Sequence, residues 1–396
     1  MAPADQETGW RGLLLPLGAL LGLVAVVLGL IFLANQQAAA DLSAWIYELF
    51  GNTEEAQALR RGGGDRFMAK IIVMAVALAI GVGGIWLIYT GLNVVVERLG
   101  QPWMGRLIPW VFVGPALLVL AIFLVWPVVS TVFLSVGIDI RLIPPSIEVA
   151  ADAGFDDWVW GLTDPKNHRI YLNNIVWLVV GTAGSVGIGL LIAGLVDRVK
   201  HESTAKTFIF LPLAIAMVGA SVIWMFVYAW RPGSGSQIGL LNAIWTGLGQ
   251  EPVAWLQQAP LNTFLLIVIL IWLQTGFAMV VLSAAIKGVP VEIIEAAALD
   301  GAGERQKFLK IIVPMIRGSL VTVTITVAIF VLKIFDIVFA TTGGNFQTDV
   351  VANQMFRQMF MFFDDGRGAV LAAILFIAVL PLMVLNVRQM RRQGIR

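Results

Sequence analysis

The sequence predicts an all-α membrane protein of eight transmembrane helices. Of its 396 residues, 59% are hydrophobic and only 13% charged, about half the charge of a soluble domain of that size. The missing charge is concentrated in long uncharged runs, and about 20 apolar residues suffice to cross a hydrocarbon core about 30 Å thick. Lys and Arg are also more than twice as dense in alternate connecting segments, as expected when those segments face the cytoplasm.

The runs occupy residues 13–34, 71–92, 110–137, 173–196, 207–230, 262–285, 318–341 and 369–387. Arg11 precedes the first. That run is long for a signal-peptide core and no small-residue cleavage site follows, so it is read as an uncleaved helix. In the following segment, 35–70, Trp45, Ile46, Leu49 and Phe50 recur at helical spacing, which predicts an interfacial helix. Arg60-Arg61-Gly62-Gly63-Gly64-Asp65 reads as a flexible link to the second run. The third run is long enough to tilt or to include an interfacial piece. Many of the 40 glycines lie inside runs, where they allow close helix packing. A cytoplasmic N-terminus places the tail residues Arg388, Arg391, Arg392 and Arg396 on the cytoplasmic side, with Arg60, Arg61 and Arg66 as the outside exception. Two regions follow: 1–106, with two spans and an extracytoplasmic segment between them, and 107–396, a core of six spans.

Several function classes are excluded. A net charge of +1 without a long basic tract gives no case for nucleic acid. With no cysteine there is no disulfide, thiol nucleophile or thiolate metal site. The GxxxxGK[ST], HExxH and GxSxG patterns are absent. Residues 62–65 fit the GxGD pattern of intramembrane aspartyl proteases, but they precede a span and no second aspartate pairs with them. His168 and His201 sit in polar segments as solvated side chains, and no catalytic or metal-binding residue is expected.

One connection stands apart, the loop at 286–317. Pro290 suits a first helical turn, and Glu292 and Glu295 lie near that N-terminus, where the helix dipole favours negative charge. Ile293, Ile294, Ala297 and Ala298 form a compact apolar face, and Gly301 is placed as a left-handed stop. A second short helix carries Phe308, Ile311 and Ile312 against Lys307 and Lys310, and runs to Pro314. The prediction is a small cytoplasmic knob of two helices, whose alanines and glycines admit close approach by another surface.

Glu295-Ala296-Ala297, then Gly301, Ile311, Val313 and Pro314, resembles the EAA motif of ATP-binding-cassette importer permeases. Val313 stands for the family's usual leucine, and Gly318 for a later proline. Strings at 219–224 (GASVIW), 237–242 (QIGLLN), 272–277 (WLQTGF), 333–336 (KIFD), 343–345 (GGN) and 380–388 (LPLMVLNVR) extend the resemblance to carbohydrate-importer permeases, most closely the alpha-glucoside type. It covers roughly three-quarters of the chain and implies a type I importer permease bundle. The knob would be the coupling helix that docks on an ATPase, with Glu295 and Gly301 as key residues and Ala296, Ala297 and Asp300 completing the contact. Implied partners are a second homologous permease, an ATP-binding-cassette ATPase dimer, an extracytoplasmic sugar-binding protein and membrane lipid. This chain would need no cofactor, since ATP and Mg would be bound by the ATPase subunits. The implied solute is an alpha-glucoside or similar oligosaccharide, with a polyol or glycosylated compatible solute, or a permease that does not touch the sugar, as alternatives.

A solute path calls for polar groups within spans. Lys333 and Asp336 lie three residues apart in the seventh run. They are expected on one helical face, where they partly neutralise each other. Ionisable groups at such depth tend to face the bundle interior, so the pair either lines or gates a path or serves as a structural pair, the lysine reaching outward. Gln274 and Thr275 interrupt the sixth run beside Phe277, and Ser221 and Trp224 lie in the fifth. Amide and hydroxyl groups beside aromatic faces suit a sugar; buried amides also bridge helices.

Overall fold

The computed structural model describes residues 103–394 apart from 143–144, 151–152, 198 and 234–235, together with positions 44, 48, 54, 57, 83–84 and 90–91. Apart from those positions, the expected spans at 13–34 and 71–92 and the expected interfacial helix lie outside the described residues. The chain divides into two units, Met1–Val129 with Arg141–Ser146, and Ser130–Ile140 with Ile147–Arg396.

In the first unit, α1 (Trp103–Leu120) passes through a π-turn at Ala121–Val125. The chain continues into α2, Trp126–Leu134. A candidate span, Ala116–Leu134, crosses these elements. Next comes a two-stranded sheet of β1 (Ile138–Leu142) and β2 (Pro145–Val149); α2 and both strands belong partly to the first unit and partly to the second. It is a small exception to the all-α expectation.

The second unit is a helical bundle centred on α9. In order it contains α3 (Asp156–Thr163), α4 (Pro165–Val176), α5 (Thr182–Val196), α6 (Glu202–Phe210), α7 (Met217–Val227), α8 (Leu240–Gly247) and α9 (Leu261–Lys287). After these come α10 (Val291–Leu299), α11 (Glu304–Lys307), α12 (Val313–Met315), α13 (Arg317–Leu332), α14 (Asp336–Thr341), α15 (Val351–Phe360) and α16 (Asp365–Gly394). Among the described residues, four helices are long and apolar enough to cross a membrane, or six if two bent pairs each count as one span.

Helix α9 has 27 residues and a single charge, Lys287 in its last turn. At 1.5 Å per residue it is about 40 Å long, enough to link the two ends of the bundle. Leu266, Ile267, Leu270, Met279 and Leu282 are buried along it. α5 packs on it through glycines. A Cβ on Gly189 would lie 2.6 Å from Ala278 Cβ and 3.0 Å from Met279 N, so only glycine admits this contact.

Two expected spans are not single helices. The run at 207–230 divides between α6 and α7, which meet at 99°. Pro212 helps turn the end of α6 into a 3-10 segment, Leu211–Ala214, after which Ile215 and Ala216 are extended, with ψ 130 and 139. The run at 318–341 stops at Leu332 and restarts at Asp336. Its freed Leu332 carbonyl accepts a bond from buried Asn174 Nδ2 at 3.2 Å, while Asn174 Oδ1 accepts from Val351 N at 2.9 Å. Lys333 and Asp336 therefore flank a break and do not share a helical face. Among the described residues no ion pair joins them.

Candidate functional site

Helix α10 projects from one end of the bundle, three residues after α9. Val289, just before it, is buried, whereas none of its nine residues is. Pro290 is its N-cap, one position earlier than the first-turn role expected from sequence, and Glu292 lies in the first turn. At the other end Asp300 N bonds to Ala296 O, Gly301 N to Ala298 O and Ala302 N to Ala297 O, each at 3.0 Å. The last two bonds close a Schellman stop, and Gly301 takes the left-handed backbone it requires, φ +82.

Val291, Ile293 and Leu299 are exposed, Leu299 by 90%. Glu295, Ala296 and Asp300 are exposed as well, and Ala297 is half-buried. Behind them, α11 and α12 tie the knob to the bundle. A Cβ on Gly194 of α5 would lie 2.5 Å from the ring of Phe308, so that ring sits on bare backbone. Ile312 and Ile316 are buried, and Lys307 is paired with Glu304. α12 and α13 then meet at a 74° bend. The result is a firmly rooted, outward-facing apolar helix with two acidic residues.

The residues proposed for a solute path lie on three elements that pack together, α7, α9 and α14, except Lys333, which lies in the break before α14. α7 packs along α14 and touches α9. Trp224 of α7 sits edge-on to Trp272 of α9, ring centroids 5.8 Å apart, and 5.3 Å from Tyr228. Ser221 is buried and its hydroxyl returns to Met217 O at 2.8 Å, within its own helix. Gln274 and Thr275 are buried on α9, and Thr275 Oγ1 has no hydrogen-bond partner among the described residues. Phe277 is half-buried against the main core. Asp336 is half-buried at the start of α14, and Lys333 is exposed. The Trp224–Trp272 contact joins α7 to α9, and α14 packs against both helices.

A polar network at the bundle end opposite α10 had no counterpart in the sequence reading. There the segment 342–350 turns through left-handed Gly343, Gly344, Phe346 and Gln347. Asn173 Nδ2 donates to Gln347 O and Asp349 O, both at 2.8 Å, and Asn262 Nδ2 donates to Phe346 O at 2.8 Å. Asn353 Nδ2 donates to Asp349 Oδ1 at 2.7 Å. Burial pushes the Asp349 carboxyl above the ordinary range, against the pull of Asn353, Val350 N and Arg357. The signal that could have marked this network is the Asn173-Asn174 pair opening an apolar run.

Comparison with known proteins gives three concordant results. Residues 185–394 match the family described as "Binding-protein-dependent transport system inner membrane component". The osmoprotective compounds uptake permease protein GgtC of Synechocystis sp. is 48% identical over 71% of this chain and 98% of its own. The alpha-glucoside transport system permease protein AglF of Rhizobium meliloti is 47% identical over 72% of this chain and 83% of its own. Among solved structures, a chain of a bacterial alginate ABC transporter in complex with its pentasaccharide-bound periplasmic protein superposes with a TM-score of 0.62. That match has 18% identity and covers 74% of this chain and 98% of the other.

Proposed function

The chain belongs to the family of inner membrane components of binding-protein-dependent transport systems. From that premise we propose that, with a second permease, it forms the path of an ATP-driven importer for an alpha-glucoside or similar oligosaccharide. α10 is its coupling helix. The observation carrying this reading is a nine-residue helix, closed by Gly301, that buries none of its own residues. An apolar helix so rooted and so exposed suits a cleft on another protein.

In this reading Glu295, Ala296, Ala297, Asp300 and Gly301 form the face presented to the ATPase. The ATPase pair binds ATP and Mg and supplies all the hydrolysis; this chain supplies no catalytic group. Closure of the ATPases draws α10 with them. The movement passes through α9 and α13 to the bends at Ile215–Ala216 and Ile316, and the path switches from inward-open to outward-open. A binding protein on the far side then delivers the solute. Both termini lie in the cytoplasm. Ser221, Trp224, Gln274, Thr275, Phe277, Lys333 and Asp336 border the path, with the Trp224–Trp272 pair as an apolar wall for a sugar face and the amide and hydroxyl groups at its rim.

The 47% identity to a permease named for alpha-glucosides supports the solute class. A small osmoprotectant is the second reading, favoured by the name of the relative at 48% identity. Reconstituting the complex in liposomes, with binding protein supplied with maltose, sucrose or a glycosylated polyol, separates the two. Stimulation of ATP hydrolysis by maltose or sucrose is expected; stimulation by the glycosylated polyol alone assigns the second reading. Glu295→Lys or Gly301→Asp abolishes the stimulation, and unchanged stimulation in both variants overturns the coupling role of α10.

A further inference from the structure

Beneath the knob, three helices share one charged clasp. Lys206 of α6 donates to Asp197 Oδ1 at 2.7 Å, to Glu202 Oε1 at 2.5 Å and to Ser283 Oγ. Ser283 Oγ in turn donates to Asp197 Oδ1 at 2.6 Å, and Lys287 pairs with Glu202 Oε1 at 2.5 Å. Asp197 caps the end of α5, while Ser283 and Lys287 lie at the end of α9, just before α10. The ammonium has three protons and all three are engaged. Two lysines balance two carboxylates, and the Lys206 and Asp197 side chains are only 19% and 13% exposed. An exposed pair contributes little, but a mostly buried one sets geometry, because misplacing either partner strands a charge.

The clasp lies between the knob and the path. α6 meets α9 at two levels: at the clasp, and higher up where a Cβ on Gly276 would be 2.6 Å from Ile209 O. Beyond that contact the chain bends by 99° into α7, which carries Ser221 and Trp224. A displacement of α10 that carries the end of α9 with it therefore reaches α6 through the clasp, and α7 through the bend.

We propose that Lys206 is a positioning residue that locks α6 to the knob-bearing end of α9, so that movement of α10 is passed to α7. This rests on the importer reading above. Glu202 extends the lock to Lys287, and Asp197 anchors it on α5.

The test uses the assembled complex of both permeases, the ATPase pair and binding protein in liposomes, with radiolabelled sucrose as the probe. Lys206→Met strands Asp197, since Glu202 keeps Lys287, so the double variant Lys206→Met/Asp197→Asn serves as the folding-safe version. The expected result is normal assembly and continued ATP hydrolysis, with sucrose taken up per ATP hydrolysed reduced by about fivefold or more, within the usual range of coupling energies. Lys206→Arg keeps the ratio near that of the unaltered complex. Uptake and hydrolysis falling together in proportion to the yield of complex, or an unchanged ratio in both Met variants, overturns the proposal. Absence of sucrose uptake and of stimulated hydrolysis in the unaltered complex overturns the alpha-glucoside importer reading, and the link with it.

Discussion

Gly301 sits at φ +82 with nothing within 4 Å of a built Cβ, so a side chain there meets a conformational cost without a clash. Gly301→Ala therefore costs about 1–2 kcal/mol of local stability, while asparagine, which tolerates this conformation better, costs less. The expected order of stimulated ATP hydrolysis is Gly, Asn, Ala, with the permease melting temperature nearly constant; a melting temperature falling in step with hydrolysis contradicts a local effect. Asp349 carries a pH prediction. Burial raises its carboxyl pKa, so the folded state holds the proton more tightly than the unfolded chain, whose value is about 3.9. The stabilising contribution is complete below the unfolded value and is lost as pH rises through the folded one. In detergent, the melting temperature of the unaltered protein should fall relative to Asp349→Asn as pH rises from about 4 towards neutrality; parallel curves contradict this. Gly301 was legible because a glycine directly after an alanine-rich helix has few other uses. The role of Asn174 was not, because its partners Leu332 and Val351 lie 158 and 177 residues away.

At the scale of elements, hydropathy located the apolar runs and missed their breaks. Ile215-Ala216 is as apolar as its flanks, so nothing in a hydropathy profile marks it, whereas Lys333 and Asp336, read as one helical face, in fact bracket the second break. Pro212 lies at the first break, and at the second a distant asparagine, Asn174, satisfies the freed Leu332 carbonyl. The hairpin did leave a trace: β1 reads Ile-Asp-Ile-Arg-Leu, an alternation of period two. Glycine density predicted close packing correctly but not at which glycines, and two on α5 now separate. A Cβ on Gly189 collides with α9, whereas one on Gly187 meets nothing within 4 Å. Gly189→Val is expected to cost about 1–3 kcal/mol through overpacking, and Gly187→Val close to nothing within this chain. Melting temperatures of the purified protein in detergent measure both, and equal losses contradict the α5–α9 contact.

For the whole molecule, membrane class and family were readable from composition and one loop. A deficit of charge and a helical knob with fixed glycine and glutamate positions both survive without an accurate fold. The proposed solute path was less readable, because its candidate residues on α7, α9 and α14 are far apart in sequence and share no motif. In the proposed importer α10 faces an ATPase. Since the chain has no cysteine, a single introduced thiol reports its own surroundings. Leu299→Cys on α10 and Phe363→Cys at the opposite end, both highly exposed in the native residues (90% and 83%), would each carry a thiol-linked photocrosslinker in the assembled complex. The ATPase subunit should be captured from position 299 and not from position 363. Capture from both positions, or from neither, would contradict the ATPase-facing role of α10.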